Sequence, residues 1–158
     1  MAVKPDGGRP VTPASGSGLA DLAVEGVPRP LPRPDGPASE FYGWTAQGEL
    51  RFQRCGDCRR WRHLPRPLCP YCQSPNWAWE PSSGRGEVYT WTTTYRSLHP
   101  AFTQVPYAQV IVELEEGVRM LSWVPDVDPD DLRVGMPVTV DFLTVDGVAL
   151  PVFLAGAG

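Results

Sequence analysis

Lysine is nearly missing from this chain, with Lys4 its sole representative, and histidine occurs only as His63 and His99. Proton-transfer and Schiff-base chemistry therefore have few candidate groups. There is no G-x-S-x-G elbow and no glycine-rich phosphate loop, which removes the common hydrolase and nucleotide-triphosphate signatures. No segment approaches the roughly 18 consecutive apolar residues that a membrane-crossing helix requires. The opening MAVKPDGGRPVTPASG lacks the apolar centre of a secretory signal, so a cytoplasmic location is the expectation. Cysteine is scarce as well: four in 158 residues, all between positions 55 and 72.

Proline and glycine are in excess, 19 and 16 residues respectively, as in loop-rich or all-β proteins. Eight of the prolines fall in residues 1–38, which include PRPLPRPDGP. Few large apolar side chains are available there to offset backbone ordering entropy, so a flexible leader is expected. LADLAVEGV, 19–27, is a candidate short amphipathic helix within it.

The net charge of −4 is unevenly distributed. Residues 49–86 carry seven arginines against three acids, net +4, whereas 87–158 carry three arginines against ten acids, net −7. A basic segment of this kind invites an anionic ligand or an acidic partner face, unless it only keeps the module soluble.

The basic segment contains RCGDCRRWRHLPRPLCPYC, 54–72. Cys55 and Cys58 form one C-x-x-C, and Cys69 and Cys72 form a second. Two such turns can complete a tetrahedron of thiolates around zinc. Gly56 is expected to ease the first turn and Pro70 to stiffen the second. Disulfides would suit an exported chain, and a redox dithiol needs only one pair; structural Zn2+ explains both pairs at once. Four thiolates leave no open coordination position, so the metal should hold the fold and not activate water. About 25 residues cannot build a sufficient apolar core of their own.

Flanking elements follow from periodicity. ASEFYGWTAQGEL predicts a short helix capped by Ser39 and ended by Gly48, with Phe41, Tyr42 and Trp44 turned inward. ELRFQRC, 49–55, reads as a strand with Leu50 and Phe52 on its buried face and Gln53 on the other. Five further strands are expected at 84–96, 107–114, 118–124, 137–145 and 148–155, the first alternating Val88, Thr90, Thr92 and Thr94 against Tyr89, Trp91, Thr93 and Tyr95, with turns at 115–117 and Asp146-Gly147. Between the third and fourth, Asp128 can cap a helical turn from Pro129 to Arg133. Five strands with that helix describe an OB-fold barrel; a β-sandwich, which usually has about seven strands, is the runner-up. The fold class is thus mainly β: a flexible leader (1–38), a short helix and rubredoxin-like zinc ribbon (39–83), and a five-stranded OB-fold barrel (84–158).

FYGWTAQGELRFQRCGDC, LPRPLCPYC, SGRGEVYTWTTTYR, the HPAF and VPYAQVIVELEEG segments, and GMPVTVDF followed by DGVALPVF carry a resemblance across about 39–155. In this order they are similar to the acyl-CoA-associated family of paired zinc-ribbon and OB-fold proteins, long catalogued as a domain of unknown function. The resemblance implies a non-catalytic accessory subunit of a thiolase-like enzyme acting on CoA thioesters, including side-chain-cleaving aldolases of steroid breakdown. The catalytic residues would lie on that partner, in a hetero-oligomer. Arg54, Arg59, Arg60, Trp61, Arg62, His63, His99 and Phe102 are candidate contacts to CoA or to the partner. A stacked or hydrogen-bonded structural role is the plainer reading of His63, and loop packing that of His99 and Phe102.

Two other classes compete. OB barrels and ribbons also bind single-stranded nucleic acid, and Trp61, Trp77, Trp79 and Trp91 could stack on bases; the net −7 of the barrel segment opposes this. A solitary hydrolase or thiol oxidoreductase would require a cysteine left free after metal binding.

Overall fold

A computed structural model describes residues 30–156 apart from Pro34. The suggested helix at 19–27 lies outside the described residues. The first element is α1, Pro37–Thr45. It starts three residues earlier than predicted, with Gly36 at the cap and proline in the first turn. Ser39 is therefore not the cap; inside the first turn, its hydroxyl donates to the Gly36 carbonyl at 2.7 Å. The other end behaves as predicted. Gly48, at φ 76°, closes the helix while its N–H reaches the Thr45 carbonyl and the Glu49 N–H reaches that of Trp44, a paired closure that favours glycine. Phe41 is buried. Thr45 donates its hydroxyl to the Ala149 carbonyl at 2.8 Å, fastening the helix to a strand over a hundred residues away.

Three antiparallel strands follow: β1 (Arg51–Cys55), β2 (Trp61–Arg62) and β3 (Trp77–Pro81), with β1 central. The expected two-faced alternation fails in β1, because Gln53 is as deeply buried as Phe52. Being central, β1 has no solvated face at this position: Gln53 lies opposite Arg62 on one side and Trp79 on the other.

All five strands of the second sheet form: β4 (Arg85–Thr94), β5 (Tyr107–Leu114), β6 (Arg119–Ser122), β7 (Pro137–Val145) and β8 (Val148–Ala155). Their order is β6-β5-β4-β7-β8. The outer strands meet where the Ser122 hydroxyl donates to the Pro151 carbonyl at 2.8 Å and the Phe153 N–H to that of Trp123 at 2.9 Å. The sheet thus curls into a nearly closed OB-fold barrel. Asp146 (φ 46°) and Gly147 (φ 80°) make the two-residue β7–β8 turn, the left-handed pair that such hairpins require.

Two local expectations need correcting. The β4 register shifts between Val88 and Thr90, and the bulge at Tyr89 resets the alternation. Trp91, and not Thr90, then becomes the partly buried residue that follows Val88. Residues 129–133 form turns but no helix. Asp128 does accept from the Asp130 N–H, but the chain then turns so that the Gly135 N–H reaches the Val88 carbonyl, which leaves no length for helix propagation.

Ribbon and barrel share one apolar core. Phe41, Leu50 and Phe52 cluster with Val88, Val110, Val112, Val138 and Phe153. Burying each of the aromatic side chains contributes about 1.5–3 kcal/mol, so this shared core, with α1, fixes the ribbon against the barrel.

Candidate metal centre and the cleft beside it

The four sulfurs lie within 4.8 Å of one another, and the cysteines are not disulfide-bonded. Cys55 Sγ is 3.6 Å from Cys72 Sγ, and Cys58 Sγ is 3.6 Å from Cys69 Sγ. Zinc–sulfur bonds of about 2.3 Å in a tetrahedron place sulfurs roughly 3.8 Å apart. The two knuckles are built alike. The Cys55 N–H reaches the Arg60 carbonyl and the Cys69 N–H that of Ser74, and the residue after the second cysteine of each pair, Arg59 or Gln73, adopts φ 61°. The left-handed residue is therefore Arg59, where Gly56 had been expected to supply the freedom.

Thiol electrostatics also favour a cation. Burial opposes ionisation of Cys69, yet the N–H groups of Cys72 and Tyr71 bring its thiol down to about 6. The Ser74 N–H favours a Cys72 thiolate, but burial and the three neighbouring sulfurs push that thiol up to about 12. Four ionised sulfurs are tolerable at this spacing only around a positive ion. The donor set fits zinc: Cys55, Cys58, Cys69 and Cys72 would hold it, and the closed shell would supply structure and no reactive position.

The arginines proposed as contacts divide by environment. Arg54 pairs with Glu80 at 2.9 Å and lies over the Trp61 ring. Arg62 is only 6% exposed; its Nε donates to Gln53 Oε1 at 2.7 Å and its Nη2 to the Arg66 carbonyl at 3.0 Å. Gln53 Oε1 also accepts from the Arg66 N–H, so this glutamine pins the excursion between the knuckles. Sequence periodicity assigned Gln53 to the other face, and no local signal distinguishes it. Arg59 and Arg60 are exposed, with Arg60 over the Tyr71 ring at 4.4 Å.

His63 packs against Phe41 and Phe52, with ring centroids 5.3 and 5.4 Å away. The contacts are tilted and edge-on, a packing role in the core and not face-to-face stacking. Burial lowers its pKa to about 4. Because the folded value lies below the unfolded one, about 6.5, the neutral ring stabilises the fold above pH 6.5, and that contribution is lost as pH falls from 6.5 toward 4. We predict that His63→Phe flattens the stability profile across this window relative to the parent, by up to about 3 kcal/mol, read by denaturant titration at pH 7 and 4.5. Parallel profiles would contradict it.

His99 and Phe102 come together on the β4–β5 connection, 5.9 Å apart, with Phe102 also near Tyr107. His99 Nδ1 accepts from the Ala101 N–H, which matches loop packing; these residues do not line the cleft next to the ribbon. Two of the four tryptophans proposed to stack on bases are engaged internally: Trp79 donates to Glu40, Trp77 to the Pro67 carbonyl, and the two rings meet edge to face.

A cavity of about 390 Å³ lies between the excursion and the β5–β6 turn. Arg119, on the barrel wall, contacts Glu113 at 3.3 Å and lies over the Tyr89 ring at 3.6 Å. The bulge at Tyr89 was not legible in the sequence, and neither was this pair. No described helix is long and apolar enough to cross a membrane.

A four-cysteine ribbon sharing its core with a nearly closed five-stranded barrel defines a zinc-ribbon/OB-fold protein. Residues 45–78 match the family described as ChsH2, rubredoxin-like zinc ribbon domain, and residues 79–143 match ChsH2, C-terminal OB-fold domain. The chain belongs to this ChsH2/DUF35 family. It is 37% identical over 126 residues to a probable enoyl-CoA hydratase alpha subunit of Thermomonospora curvata, covering 79% of this chain and 39% of that protein. It is 35% identical to the 3-oxo-4,17-pregnadiene-20-carboxyl-CoA hydratase alpha subunit of Mycobacterium tuberculosis, covering 78% and 38%. The chain thus spans about two fifths of these hydratase subunits. A DUF35 domain-containing scaffold protein of Methanothermobacter thermautotrophicus is 30% identical, with 55% and 81% covered. Among solved structures, a chain of the Ltp2-ChsH2(DUF35) aldolase superposes with a TM-score of 0.71 at 36% identity, covering 80% of this chain and 98% of that one.

Proposed function

We propose that this chain is a non-catalytic accessory subunit that binds a thiolase-fold enzyme acting on acyl-CoA thioesters. The observation that carries the reading is the match over 98% of a chain in the Ltp2-ChsH2(DUF35) aldolase. The scaffold name of the archaeal relative agrees. A closed metal shell also agrees, because it leaves the partner to supply the reacting groups. The aldolase named in the structural match, taken with the pregnadiene-carboxyl-CoA thioester in one hydratase relative's name, supports a side-chain retro-aldolase as the particular enzyme. The exposed guanidinium groups of Arg59 and Arg60 would meet either an acidic partner face or the anionic nucleotide end of CoA.

Coexpression with a thiolase-fold protein from the same genome tests the reading. The two should co-elute on gel filtration, and thioester cleavage should fall at least about tenfold when this chain is left out. Activity unchanged without it would sink the proposal.

A further inference from the structure

We infer that the cleft between the ribbon excursion and the β5–β6 hairpin is the socket that receives an acidic, apolar-flanked segment of the enzyme partner. The inference rests on the accessory reading above and assigns the surface that reading leaves open. The cleft's ribbon wall includes Trp61, Arg62, His63, Leu64, Arg66 and Tyr71, and Glu113 and Arg119 stand on the barrel side.

Charge comes first. Arg119 and Glu113 engage each other, which leaves Arg62 and Arg66 as uncompensated cations of the cleft. Arg62 is almost wholly buried, yet its Nη1 has no hydrogen-bond partner. That guanidinium lies over the Trp77 ring and Nη1 is sealed from solvent, so a carboxylate docking in the cleft would offset the buried charge through space while pairing directly with the exposed Arg66. His63 Nδ1, on the same wall, is also unpartnered. Burial favours the neutral ring, so it brings no further charge to the cleft.

The rim argues for a protein and not a small anion. Leu64 is 63% exposed and Tyr71 is 60% exposed, and Arg60 covers one ring face of Tyr71. Exposed tyrosine and arginine are residue types enriched at protein interfaces, and Leu64 beside them adds apolar area that a small anion would not cover. Residues 49–86 carry net +4, so the same face would steer an acidic surface toward the cleft.

The test uses Arg66→Glu and Leu64→Asp, in the zinc-loaded chain, against the same thiolase-fold protein. Arg66 contributes only its backbone to the Gln53 contact, and Leu64 is exposed, so both variants should keep the parent melting temperature and metal content. Each should weaken the complex about tenfold or more, and Arg66→Glu should also slow association and reduce its salt dependence. Leu98→Asp, at an 82% exposed position on the β4–β5 connection, should bind like the parent. If both cleft variants bind normally, or if only Leu98→Asp breaks the complex, the socket is elsewhere and the inference is overturned while the accessory reading survives. No complex with the parent chain would overturn both.

Discussion

Stripping the metal should abolish the ribbon's tertiary structure while the barrel strands persist. The asymmetry follows from where the apolar core lies. β4 to β8 supply most of the shared core, including Val88, Val110, Val112, Val138 and Phe153, whereas the ribbon adds Leu50 and Phe52 from β1 and its two knuckles bury little beyond Cys55 and Cys69 themselves. Structural zinc contributes about 10 kcal/mol or more in small ribbon-sized modules, comparable to the whole stability of an ordinary domain. Without it, four thiols at this spacing keep only backbone turns, two of them in left-handed conformations at Arg59 and Gln73. Near-ultraviolet dichroism should therefore collapse as Trp61, Trp77 and Trp79 lose their surroundings, with far-ultraviolet strand signal largely retained. Cys58→Ser should behave like the chelated parent, and cobalt should restore the signal with the absorption of a tetrahedral thiolate site. A chelator that leaves the melting curve unchanged would refute the metal centre.

The four-cysteine cluster was legible because its determinants are local. Two C-x-x-C pairs specify ligand type and spacing within 18 residues, and no distant part of the chain has to be known. The strands were legible for a similar reason: alternation, the left-handed Asp146-Gly147 pair and the turn at Gly117 are all short-range signals. What failed depends on partners far away in sequence. Gln53 is buried because β1 becomes the central strand and Arg62 returns opposite it. Tyr89 bulges out because β4 pairs with β5 past that point while the Val88 backbone is also bonded by Gly135 and Met136. The expected turn of helix at 129–133 had a correct cap in Asp128, but the barrel needed that chain for a tight return. The cleft combines two such misses, a ribbon excursion pinned by Gln53 and a barrel wall organised by Arg119.

Replacing Gly86 should damage the barrel more than any other single added methyl, because the obstacle is main chain. β4 is hydrogen-bonded on both sides there, Gly86 lying opposite Leu114 of β5 and Val138 of β7. A Cβ at this position would stand 2.4 Å from the Glu113 carbonyl oxygen and 3.0 Å from Leu114 Cα. Overpacking of this kind usually costs about 1–3 kcal/mol, and here relief requires β4 and β5 to part. Gly86→Ala should fall at the upper end, about 3 kcal/mol, or roughly 6–12 °C in melting temperature for a chain of this size. Gly84 provides the contrast. Its added Cβ would meet Val140 Cγ1 at 2.4 Å, a side-chain atom that Val140→Ala removes, which leaves only the strain of its φ of 70°. Val140→Ala should therefore partly rescue Gly84→Ala, while Glu113→Ala should give Gly86→Ala nothing, since the clashing oxygen belongs to the backbone. A Gly86→Ala protein that melts within a degree of the parent would mean that β4 and β5 do not approach this closely.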